Sequence, residues 1–140
     1  MQAVATWRKG GEILLGDGRA HSVLVDFPPE EGGASAGTTP LELSVLSLAG
    51  SLASTFVLVA KKRRVDFSGV NLVLESETTD AGSGLREIHG TLRVRSRSPR
   101  SDVESVLRSA IESCPVGRLF REARVPMNVV LSVAPTGRGA

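Results

Sequence analysis

From Leu43 to Ala60 the chain runs for 18 residues without a charge, and Lys61-Lys62-Arg63-Arg64 follows at once. An apolar stretch of that length belongs either in a bilayer or in the middle of a protein core. Five of the 18 residues are Ser or Thr, and Ser44, Ser47, Ser51 and Ser54 recur at spacings of three, four and three. That spacing puts four small side chains on one stripe of a helix, which suits close helix packing in a soluble core rather than a lipid-facing span. The start is well defined. Thr39 can cap, Pro40 suits the first helical position, and Glu42 completes a T-x-x-E capping box. The basic cluster closes the helix at the negative end of its dipole. The expectation is a helix from Pro40 to Lys62, apolar almost all round, that needs cover from a sheet and from a second subunit.

The flanking segments read as strands and shorter helices. Glu12 to Leu15, the turn Gly16-Asp17-Gly18 and Arg19 to Phe27 form a hairpin pattern, with Asp-Gly supplying the unusual backbone angles of the turn. Residues 28–37 are rich in Pro and Gly and read as a loop. Val70 to Glu77 and Leu85 to Arg97 alternate as a second hairpin, with Ile88, Leu92 and Val94 inward and His89, Thr91, Arg93 and Arg95 outward. Ser101-Asp-Val-Glu104 reads as another capping box, opening a helix whose apolar face is Val103, Val106, Leu107, Ala110 and Ile111. Pro115 ends it and opens a short helix through Arg121, and Val125 to Val133 reads as a last strand. One α+β domain over residues 1–134 is expected, with 135–140 as a flexible tail.

At 140 residues the chain can bury one core without disulfides or a structural metal. Cys114 is the single cysteine, so no intrachain disulfide forms, and with only His21 and His89 beside it no metal and no cofactor site is expected. Residues 1–8 lack the apolar run of a signal peptide, and a cytoplasmic location is expected.

Two segments together are similar to the OsmC/Ohr superfamily of thiol-dependent hydroperoxide reductases. One is Gly37-Thr-Thr-Pro40-Leu-Glu42-Leu-Ser-Val-Leu-Ser-Leu-Ala-Gly-Ser51; the other is Ser113-Cys114-Pro115-Val116. The resemblance implies an antiparallel sheet packed on a long buried central helix, in an intertwined homodimer with each active site at the subunit interface. It also implies a reactive cysteine eleven residues after the proline, where this chain has Ser51, and a partner cysteine in the second segment, here Cys114. A carboxylate near the start of the central helix and an arginine that holds the thiolate are implied as well. Glu42 and Arg19 are the candidates, although Glu42 stands one residue further from Pro40 than the family's acid.

A serine at position 51 changes the chemistry. Peroxide reduction by this route passes through a sulfenic acid, and a hydroxyl has neither the acidity nor the oxidation states for it. The resulting expectation is an OsmC-like protein without the usual peroxidase activity that binds an apolar small molecule, or an organic hydroperoxide, at its dimer interface. The alternative is a one-cysteine reductase or redox sensor acting through Cys114, which precedes a helix N-terminus. A serine hydrolase is disfavoured because Ser51 lies inside a helix, not on a strand-to-helix turn. Nucleic-acid binding through Lys61 to Arg64 and Arg93 to Arg100 is disfavoured by the net charge of +2 and the scarcity of aromatic residues.

Overall fold

The computed structural model describes residues 1–80, 84–124 and 126–131. Strands β1 (Val4–Lys9), β2 (Glu12–Gly16) and β3 (Ser22–Val25) form an antiparallel sheet in that order. β1 was not anticipated; all six of its residues are exposed, so no apolar face marks it in the sequence. Ile13 pairs with Val25 and Leu15 with Val23. The β2–β3 turn is longer than the Asp-Gly signal alone implies. Gly18 takes φ +74°, as expected, but Asp17 receives backbone N–H and side-chain bonds from Arg19 and bonds the His21 ring, so β3 starts only at Ser22. Arg19 is therefore a turn residue and not a strand residue.

After β3 the chain folds back on itself. The Asp26 carboxylate, fully buried, accepts the backbone N–H groups of Phe27, Ala34 and Ala36 at 2.8, 2.9 and 3.1 Å. The loop includes one 3-10 turn, Pro29–Glu31, and returns so that Asp26 N–H donates to Thr38 O. Gly37 is required here, because a Cβ on it would lie 2.2 Å from Leu24 O. Helix α1 (Pro40–Arg63) follows directly. Its start is as read from the sequence: Thr39 Oγ1 accepts from Glu42 N–H, and Glu42 accepts from Thr39 N–H.

β4 (Gly69–Thr78) and β5 (Leu85–Arg95) form the second hairpin, with Val70 opposite Val94 and Leu72 opposite Leu92. The loop between them lies partly outside the described residues. α2 (Arg100–Ser113) and α3 (Pro115–Glu122) complete the fold. The capping box expected at Ser101 does not form. Pro99 is the cap, its carbonyl accepts from Asp102 and Val103, and Glu104 instead pairs with Arg100 at 2.7 Å. The strand expected over 125–133 is also not formed where the structure describes it. Residues 126–131 are irregular and pair with no strand among the described residues, and Met127, Val129, Val130 and Leu131 are exposed. Val125, Ser132, Val133 and the expected tail 135–140 lie outside the described residues.

The core is the contact of α1 with α2. Phe56 and Ala60 meet Val106 and Ala110, all fully buried, and Leu52, Val59, Phe67, Val70, Leu92, Val94 and Leu107 pack round them. By length and composition α1 could cross a bilayer. In this fold one side of it packs on α2, α3 and β4. Its other side stays open, with Leu46 56% and Leu58 67% exposed.

Backbone donors hold the Asp26 carboxyl below its usual range, the bond from Ala36 contributing most. The sign follows from linkage: a carboxyl depressed in the folded state stabilises fully above its unfolded pKa of about 4, and that stability is lost as pH falls through the lower folded value. Asp26→Asn is expected to lower the urea midpoint at pH 7, with the gap to wild type closing progressively as pH falls below about 4. A gap that stays constant with pH counts against this account.

Candidate functional site

α1 and α2 run antiparallel, and this decides which residues meet. Near the end of α1, Arg63 donates to the Ser105 and Ser109 hydroxyls at 3.1 and 2.6 Å. In the middle, Phe56 and Ala60 meet Val106 and Ala110. One step further along, the end of α2 arrives at Ser51, where the Cys114 thiol donates to the Ser51 hydroxyl at 3.3 Å. Residues 63 apart in sequence are thus side by side because two helix registers match.

Cys114 sits at the joint between α2 and α3, ending one helix and capping the next. Its sulfur accepts the Gly117 N–H at 3.3 Å and is buried, at 1% exposure. Ser51 is half-buried, and its backbone carbonyl accepts from Thr55 Oγ1. Of the serine stripe read from the sequence, only Ser51 serves this contact; Ser47 and Ser54 are exposed.

Beside the thiol opens a cleft of about 350 Å³, bounded by α1, the β4–β5 hairpin and α3. Leu48, Leu52, Leu72, Leu74, Ile88 and Phe120 give it an apolar wall, with Cys114, Gly117 and Arg121 at one side.

The other two candidates are elsewhere. Glu42 is held by the Thr39 N–H first, then by the Thr39 and Thr38 hydroxyls, which together keep its carboxyl below the ordinary range. It lines a neighbouring groove of about 520 Å³ with Val45, Leu46 and Ala49. The Arg19 guanidinium is exposed and folds onto Asp17 at 2.7 Å. Within the chain Glu42 and Arg19 bond to local partners and not to each other or to Cys114. Gly117 and Arg121 were not singled out from the sequence. The signal was there, since three and seven residues after Cys114 on a helix lie on its own face.

A family model described as OsmC-like protein matches residues 32–130, a span that includes α1, the second hairpin, α2 and α3. The chain belongs to the OsmC-like family. The solved structures agree on the OsmC-like fold. An OsmC-like protein from Mycoplasma pneumoniae superposes with a TM-score of 0.76 at 15% identity, covering 86% of each chain. An organic hydroperoxide resistance protein from Legionella pneumophila has a TM-score of 0.63 at 19% identity, over 87% of this chain and 90% of that one. The organic hydroperoxide resistance protein OhrB of Bacillus subtilis has a TM-score of 0.57 at 20% identity, over 87% and 92%. No curated protein matches the sequence.

The distance from Cys114 to Ser51 makes a structural prediction for this OsmC-like chain. In Ser51→Cys the second sulfur starts close to the first, and only a small adjustment brings the pair to a disulfide separation of about 2 Å. Mild oxidation is expected to remove both free thiols by an intrachain bond. Closing a loop of this length raises stability by up to about 4 kcal/mol. Thiol titration and non-reducing mass analysis check it; two free thiols after oxidation show that the contact is wrong.

Proposed function

We propose that this OsmC-like protein has lost the two-thiol peroxidase chemistry of its relatives at Ser51 and serves as a homodimeric binding protein for an apolar small molecule, in the cytoplasm. The observation that carries the proposal is the 3.3 Å contact of Cys114 with Ser51. Where a second sulfur would have to stand for a disulfide to close, there is a hydroxyl. What remains at the site is the apolar cleft, a sound place for a ligand with little polar surface.

The dimer is supported by what the single chain leaves uncovered. α1 exposes Leu46 and Leu58, the first sheet exposes Val4 and Trp7, and Met127 to Leu131 presents an apolar run to solvent. Apolar surface of this kind calls for a partner, and a second copy is the economical one. Light scattering is expected to give twice the monomer mass at micromolar concentration; monomer mass at that concentration removes this part of the proposal.

One observation favours a second reading. The Gly117 N–H that bonds the Cys114 sulfur could also support a thiolate, so a one-cysteine route has a chemical basis. In it the thiolate attacks the distal peroxide oxygen, releases the alcohol and becomes a sulfenic acid. An external thiol then condenses with it, releasing water, and a second external thiol frees the cysteine. Burial of the sulfur weighs against this route.

A thiol-coupled assay with cumene hydroperoxide separates the two. Wild type is expected to turn over at the background rate and Ser51→Cys measurably above it. Rapid wild-type turnover that Cys114→Ser abolishes replaces the first reading with the second.

A further inference from the structure

We infer that the cleft beside Cys114 takes an amphipathic ligand with an anionic head, and that Arg121 recognises that head. The inference rests on the proposal above that the cleft is a ligand site, and it adds the ligand's charge and the residue that reads it.

The cleft wall is almost entirely apolar, so a ligand there is selected by shape and by the few polar groups at its edge. Arg121 is the one arginine or lysine among the lining residues. It also lacks a counter-charge. Arg118, on the same helix, by contrast pairs with Glu122 at 3.0 Å. Arg121 makes no ion pair among the described residues, and no Asp or Glu lines the cleft. Its two terminal nitrogens donate to the Ile111 and Glu112 carbonyls at 3.2 and 3.3 Å. Those bonds hold the guanidinium in place and leave three of its five N–H groups for a ligand.

Position relative to the thiol completes the argument. A Cβ built on Gly117 would lie 3.3 Å from Arg121 Nη1 and 3.4 Å from the Cys114 sulfur, so guanidinium and thiol flank the same glycine. The positive charge therefore sits at the Cys114 end of the cleft, while Leu48, Leu72, Leu74 and Ile88 line the rest. His89 adds little, since its ring faces Glu75 at 3.4 Å. A volume of about 350 Å³ suits a chain of medium length with a carboxylate at one end.

The test uses decanoate and 1-decanol, which share a chain and differ in head charge, each displacing Nile red from the full-length protein. Decanoate is expected to bind about fivefold tighter than decanol in low salt, the size of one partly exposed charge contact. Raising the salt from about 0.02 to 0.5 M should compress that ratio in the wild type, a readout needing no variant. Arg121→Gln should bring the ratio to about one with decanol affinity unchanged, and Arg121→Lys should retain part of the preference. Equal affinities in the wild type overturn the anionic head and leave the apolar cleft standing. A preference that survives Arg121→Gln overturns the role of Arg121. If neither ligand displaces the dye, both the inference and the binding reading beneath it fall.

Discussion

The antiparallel contact of α1 and α2 carries the rest of the molecule. Ala60 and Ala110, with no side chain beyond Cβ, allow a close approach at the point where Phe56 and Val106 fill the space beside it. Every later placement inherits that register: Arg63 falls on Ser105 and Ser109, and Cys114 falls on Ser51. The β4–β5 hairpin closes over the pair through Val70, Leu92 and Val94. What lies between hairpin and helices becomes the cleft.

Local signals were legible in the sequence wherever a short run of residues determines its own geometry. The start of α1 is such a case, because Thr39, Pro40 and Glu42 form a cap that needs nothing from elsewhere. The inward set Ile88, Leu92 and Val94 is another, since alternation states which face is buried. Failures occur where the deciding partner is distant or missing. β1 carries no buried face, so only its pairing with β2 makes it a strand. Met127 to Leu131 has strand composition but pairs with no strand among the described residues. Ser101 and Glu104 had the spacing of a cap, yet Pro99 caps the helix two residues earlier.

The site divides in the same way. Ser51 and Cys114 stood out through the family resemblance, and the helix register supplies the physical reason they meet. Glu42 and Arg19 were nominated on the same grounds, but each is held by neighbours in its own segment. Arg121 went unnoticed because an arginine in a short amphipathic helix looks like ordinary surface. Its meaning depends on the absence of a carboxylate beside it, which spacing alone does not reveal.

The sequence separations have a consequence for how the chain reaches this state. Among the described residues the strand pairings join strands consecutive in the chain, whereas the bonds across the helix pair join residues 42 to 63 apart. Local contacts cost little loop entropy and form early, while distant ones wait. The hairpins and the capped helix carry the small closure cost, and docking of α2 carries the large one. Because Cys114 is buried where α2 docks on α1, the accessibility of the single thiol reports on that docking.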